Sequence, residues 1–287
     1  MTTAAPVATL VQLSDIHMLA EGLLHDVVDP MAHLESALAS VASAGVPITA
    51  LVLSGDITDG GAPEAYARVR DVVEPAARRL GARVIPVMGN HDERGAFRAA
   101  LLPEDPSVDP LAPCDQVHRL GGLRVVVVDS TTPGVHGGEL TDAQLRRLAD
   151  ELAVPAPDGT VLVLHHPPVP SPMPTMREVG LARPDRLAEV IAGTDVRMVL
   201  CGHDHHASCG ALAGIPVWIG PATSYRADVF PPPGCFRGVT GSAFTRVDLY
   251  PDSAVATAVP LGPTAVVHSA DAQQATHRLT TCHLADR

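Results

Sequence analysis

The chain has 287 residues, 46% of them apolar and 18% charged, with a formal net charge of −12. That is the composition of a globular protein long enough for one large α/β domain; it excludes a disordered chain, and no run approaches the roughly 18 apolar residues of a membrane span. All 20 basic residues are arginine, and so acidic a surface repels nucleic-acid backbones and anionic lipid, so neither a nucleic acid nor a membrane is an expected partner.

The N-terminus, MTTAAPVATLVQLSD, lacks a basic leader and runs straight into a strand-like segment, so no signal peptide is expected. Six β-branched runs follow one another: VATLVQLSD (7–15), ITALVLSGD (48–56), ARVIPVMGN (82–90), LRVVVVDS (123–130), GTVLVLHH (159–166) and VRMVLCGH (196–203). Continuous apolar strands of this kind are buried on both faces. Helical patterns separate them. Asp29 is an N-cap with Pro30 at N1, followed by Leu34, Leu38 and Val41 at helical spacing. From Pro63 to Leu80 one apolar face forms, Gly81 ends it, and Pro75 should kink it. Thr141 and Gln144 make a capping box, and Arg183 to Ala192 forms a further short helix. After it, IPVWIGP, SAFTRVDLY and VATAVPL are strands without helices between them. The expected fold is therefore a four-layered α/β/β/α sandwich of two mixed sheets with helices outside. Residues 1–267 are expected to form one domain, and 268–287 a C-terminal tail or dimer arm. Five cysteines (Cys114, Cys201, Cys209, Cys235, Cys282) without a CxxC pair fit reduced thiols in a cytoplasmic protein.

The strands share endings that a core does not require: SDIH (Asp15, His17), GDITD (Asp56, Asp59), GNHD (Asn90, His91, Asp92), HH (His165, His166) and GHDHH (His203 to His206). Ligands bind beyond the carboxyl ends of strands in open α/β sheets, so these groups are expected in one crevice. Carboxylate, imidazole and amide oxygen together suit iron, manganese or zinc, and the set exceeds what one ion takes. Two ions roughly 3.5 to 4 Å apart, bridged by a carboxylate, are the natural partition. In extended backbone alternate residues face one side, so Asp15 with His17, and His203 with His205, should point into the crevice while Asp204 and His206 point away. Between His165 and His166 this parity cannot choose.

The ordered set DxH, GDxxD, GNHD, HH, GHxH resembles the calcineurin-like metallophosphoesterase superfamily. Stretches such as VMGNHDER, APDGTVLVLHHPPVPS and GTDVRMVLCGHDH are similar to the class III 3′,5′-cyclic nucleotide phosphodiesterases of actinobacteria. The resemblance implies two divalent or mixed-valence ions per subunit. One would be held by Asp15, His17 and His205, the other by Asn90, His165 and His203, with Asp56 bridging. It implies hydrolysis of cyclic AMP or cyclic GMP to the 5′-monophosphate by in-line attack of a hydroxide bridging the metals, and a homodimer. His91 is expected to protonate the leaving oxygen beside Asn90, with Asp92 or Asp59 holding its ring. The substrate would meet His17, Asp56, Asn90, His91 and His205, with His136 added from a family loop. Arg226, Arg237 and Tyr225 lie in a late loop that could reach a base or ribose. Competing readings are an esterase of 2′,3′-cyclic nucleotides or glycerophosphodiesters, and a non-catalytic scaffold of the same fold.

Overall fold

The computed structural model describes residues 5–103, 105, 107–263 and 265–281. In chain order its elements are β1 (Ala8–Leu13), α1 (Pro30–Ser43), β2 (Ala50–Ser54), α2 (Pro63–Leu80), β3 (Arg83–Val87), α3 (Arg94–Leu101), β4 (Gln116–Leu120), β5 (Leu123–Val127), β6 (Thr131–Thr132), β7 (Val135–Gly138) and α4 (Asp142–Leu152). There follow β8 (Thr160–Val163), α5 (Pro174–Arg177), α6 (Pro184–Ile191), β9 (Val196–Cys201), β10 (Ser208–Leu212), β11 (Ile215–Ile219), β12 (Arg226–Ala227), β13 (Gly238–Val239), β14 (Ala243–Leu249), β15 (Ala254–Pro260) and α7 (Ala272–Thr281).

Two sheets carry the fold, ordered β15-β14-β1-β2-β3 and β10-β11-β9-β8-β5-β4. The central strands β1, β2 and β3 run parallel, as do β5, β8, β9 and β11. Period-two alternation sorts their side chains into three apolar layers. Leu10, Val52 and Ile85 of the first sheet meet Val125, Val161 and Leu200 of the second. Their neighbours Val11, Leu51 and Leu53 face outward under Leu34, Leu38, Tyr66 and Val69 of α1 and α2. On the far side Val126, Leu162 and Val199 pack under Leu145 and Leu148 of α4 and Leu187 and Ile191 of α6. Each such side chain stabilises the fold by about 1.5–3 kcal/mol on burial. The result is the expected α/β/β/α sandwich, and it explains why the strands are apolar throughout.

The local capping signals are present in the fold. The Asp29 carboxylate accepts the N–H groups of Met31 and Ala32 at 3.0 and 3.1 Å, and Gly81 closes α2 with φ +66°. Pro75, where a kink was expected, removes one i→i−4 bond without ending α2, whose buried face continues from Val69 and Val73 to Ala76 and Ala77. Of the segment expected as a tail, residues 272–281 form α7, and 282–287, with Cys282 and His283, lie outside the described residues. No helix among the described residues is long and apolar enough to cross a membrane.

Candidate metal centre

The carboxyl ends of β1, β2, β3, β8 and β9 open on one crevice. Donor atoms of Asp15, His17 and His205 lie within 4.8 Å of one another, as do those of Asp56, His165 and His203, and those of His17, Asp56 and His91. All but the half-buried His91 are buried.

The paired residues converge, but strand alternation is not the cause. Asp15 (φ +50°), His17 (+50°), Asp56 (+48°), His203 (+73°) and His205 (+54°) are all left-handed, so the backbone has left the extended form and coils past each strand end. For residues other than glycine this costs of order 1–3 kcal/mol each and persists only where the surroundings over-determine it. They do here. The N–H of Asp15 donates to Gly55 O at 3.1 Å and that of His17 to Asp56 O at 2.9 Å, while the Ser224 hydroxyl donates to Asp15 O at 2.6 Å. The Asp15 carboxylate accepts the His203 N–H at 3.0 Å, and the Asp56 carboxylate accepts that of His91 at 2.8 Å. Two glycines of the motifs permit this crowding: a Cβ on Gly55 would overlap the His165 ring, and one on Gly89 the Asp56 backbone.

Three imidazoles are held in a common way. Each turns Nδ1 to an acceptor outside the donor cluster: His17 to the Asp59 carboxylate (2.9 Å), His165 to Ser54 O (2.9 Å) and His205 to Tyr225 O (3.2 Å). His203 differs: its Nδ1 lies 3.0 Å from Oδ1 of Asn90, itself an expected ligand, so that nitrogen faces the centre. An Nδ1–H that donates outward fixes the tautomer and turns the Nε2 lone pair inward, the arrangement of metal-bound histidines. Nε2 of His165 is buried 3.3 Å from Asp56 Oδ2, that of His203 is buried without a hydrogen-bond partner, and those of His17 and His205 face each other at 3.0 Å. Buried polar atoms are rarely left so. These lone pairs, with the Asp15 and Asp56 carboxylates beside them, fit a cation of the iron, manganese or zinc kind.

The electrostatics agree. Burial pushes His165 down, but the Asp56 and Asp15 charges outweigh it and hold it up at about 10. Burial likewise opposes His17, yet its bond to Asp59 and the charges of Asp56 and Asp15 raise it. The Asp56 carboxyl is itself held well below the carboxylate range by His165 and His17, against its burial. At His205 burial outweighs the Asp15 charge 3.6 Å away and takes it down to about 4. The carboxylates thus attract positive charge into the centre, as protons or as metal.

The structure separates the neighbouring residues. His166 turns away: its Nδ1 meets Ser130 Oγ at 2.8 Å and its Nε2 meets His136 O at 3.0 Å. Asp204 and His206 face each other at 3.6 Å, outside the ligand groups, but Asp204, expected to point away, borders the crevice. Of the two carboxylates expected to hold the His91 ring, Asp92 does not reach it. Its carboxylate accepts from the N–H groups of Ile57, Thr58 and Gly89 and from the hydroxyls of Thr58 and Tyr66, all within 3.1 Å. Asp92 therefore ties the β2 and β3 loops together. Asp59 lies beside His91: its carbonyl oxygen is 3.0 Å and its carboxylate 3.5 Å from His91 Nδ1. The Asn90 amide donates to His136 Nδ1 at 3.3 Å, which puts His136 at the crevice mouth. Arg237 and Tyr225 line the crevice, of about 360 Å³; Arg226 is not among its lining residues. Met173, Met176 and Phe236 also line it, and nothing in their sequence spacing marked them. A larger hollow of about 460 Å³, between β4, β5 and α4, holds no histidine.

A two-sheet sandwich that gathers carboxylates and imidazoles at its carboxyl edge defines a metal-dependent hydrolase. Residues 8–207 match the calcineurin-like phosphoesterase family, and the chain belongs to it. It is 44% identical over 273 residues to a probable cyclic nucleotide phosphodiesterase of Rhodococcus erythropolis, covering 94% of this chain and 90% of that one. It is 42% identical to a cAMP/cGMP dual specificity phosphodiesterase of Mycobacterium tuberculosis, over 90% of this chain and 80% of that one. Among solved structures, a dimetal phosphatase from Danio rerio superposes with a TM-score of 0.62 at 16% identity, over 89% of this chain and 96% of that one, a likeness of fold.

Proposed function

We propose that the protein is a phosphodiesterase that opens 3′,5′-cyclic AMP and cyclic GMP to the 5′-monophosphates at a two-metal centre. The observation that carries the reading is the convergence of four buried histidines on Asp15 and Asp56, three of them anchored through Nδ1 to acceptors outside the cluster. In this proposal Asp15, His17 and His205 hold one ion, Asn90, His165 and His203 the other, and Asp56 reaches both. The ions, iron, manganese or zinc, supply charge neutralisation and an activated water when bound. His91 does the protein's own chemistry. With Nδ1 anchored on Asp59, its Nε2 is free to hand a proton to the departing 3′ oxygen, while Asn90 and His136 orient the phosphoryl group from the mouth. In the same proposal residues 1–267 are the phosphoesterase domain and 268–287, with α7, the tail or dimer arm of a cytoplasmic homodimer.

A kinetic panel on metal-loaded protein tests the substrate. Expected is a kcat/KM for 3′,5′-cyclic AMP and cyclic GMP well above that for 2′,3′-cyclic AMP and glycerophosphodiesters. The opposite order would overturn the assignment.

A further inference from the structure

Beyond the metal-facing floor, the crevice is walled by two loops. One brings Met173, Thr175, Met176 and Val179, and the other Tyr225, Ala227, Phe236, Arg237 and Gly238. The wall is mostly apolar, with two thioethers and two aromatic rings. The phosphodiester itself does not require such a surface.

The two rings differ in freedom. Tyr225 is committed: its ring centroid lies 4.4 Å from that of His205 and 5.4 Å from that of His25. A Cβ on Gly238 would meet the same ring at 2.7 Å, so its other side is closed by backbone. Phe236 makes no ring contact among the described residues and is 59% exposed, an unusual state for a phenylalanine at the rim of a cavity. Its position is nevertheless fixed. The β12 and β13 strands pair beneath it, the Asp228 N–H donates to Arg237 O at 3.0 Å, and the Arg237 guanidinium donates to the Asp228 carboxylate at 2.8 Å. That ion pair engages the arginine and clamps the loop ends, leaving Phe236 as the free face of the wall.

We infer that Phe236 is a specificity-determining residue: it is the platform on which the heterocyclic base of the substrate stacks, within a wall completed by Met173 and Met176. The assignment rests on the cyclic-nucleotide reading above. A ring face is sequence-tolerant, since every base presents a π-face. The site therefore takes adenine and guanine alike and selects for a base rather than for which base. Arg237, already paired, is not the reader.

The test compares metal-loaded wild type, Phe236→Ala and Phe236→Tyr on 3′,5′-cyclic AMP, 3′,5′-cyclic GMP and a 3′,5′-cyclic ribose phosphate lacking the base. Wild type is expected to prefer both nucleotides over the base-free diester by roughly 5- to 150-fold in kcat/KM, the range of base-on-aromatic stacking. Phe236→Ala should lose most of that preference through a raised KM, and Phe236→Tyr should keep it. A preference unaltered in Phe236→Ala, or an equal loss on all three substrates, overturns the stacking role and leaves the phosphodiesterase reading standing. Hydrolysis of the base-free diester without hydrolysis of either nucleotide overturns both.

Discussion

The two ends of the second sheet bury polar groups in opposite ways. At the amino end, Arg124 near the start of β5 is 2% exposed, yet each of its guanidinium nitrogens has a partner. Its Nε donates to Thr160 Oγ1 at 2.8 Å, one terminal nitrogen to Val154 O at 3.0 Å and the Glu151 carboxylate at 3.1 Å, and the other to the Asp195 carboxylate at 2.8 Å. A buried charge so fully paired is a structural tie. At the carboxyl end, His165 and His203 follow β8 and β9: His165 is anchored on Ser54 O and turns Nε2 toward Asp56 at 3.3 Å, and His203 has Nδ1 beside Asn90 Oδ1 and Nε2 buried without a partner. The same strands end in a paired network on one side and in crowded lone-pair donors on the other. Convergence of imidazole nitrogens on two buried carboxylates, more than burial or charge alone, marks the end fit for a cation.

The contrast can be broken most severely at Asp56, the carboxylate proposed to reach both ions. Asp56→Ala should abolish activity and bring the metal content of the purified protein toward zero, read by elemental analysis; a variant that keeps both metals would remove Asp56 from the bridging role. His91→Ala should lower kcat by about 10² to 10⁴-fold, the range of a general acid, with metal content retained. Unchanged kcat would take the proton-donor role from His91. At the other end, Arg124→Met leaves Asp195 without its cation and Glu151 with Arg119 alone, and should destabilise the fold by about 3–5 kcal/mol in denaturant unfolding, with the kcat of the folded fraction kept. A large loss of kcat there, with little loss of stability, would erase the distinction between the two ends.

Much of the fold is legible in the sequence because both faces of the central strands are buried, which makes runs such as LRVVVV and TVLVL apolar throughout. The elements missed lack that signal. β4 and β10 are edge strands that alternate between half-buried and exposed residues, and α3 is capped by Glu93, whose carboxylate accepts from Gly95 and Ala96, instead of by a common N-cap residue. The candidate site is legible as a list of residues and not as a conformation. Left-handed aspartates and histidines leave no mark in a sequence, so strand parity pairs the right residues for the wrong reason. Asp92 looks like a partner of its neighbour His91, whereas its hydroxyl donor Tyr66 comes from 26 positions away. His165 and His166 are equivalent by position alone. They part only through Ser54 O and His136 O, acceptors supplied by other segments.

The central claim is that the converging imidazole nitrogens and the two buried aspartates hold a pair of ions. Anomalous diffraction from crystals of the manganese-loaded protein measures this most directly. The account predicts two peaks roughly 3.5 to 4 Å apart, one beside Asp15, His17 and His205 and the other beside Asn90, His165 and His203, with Asp56 touching both. A single peak, or none within reach of these side chains, would contradict it.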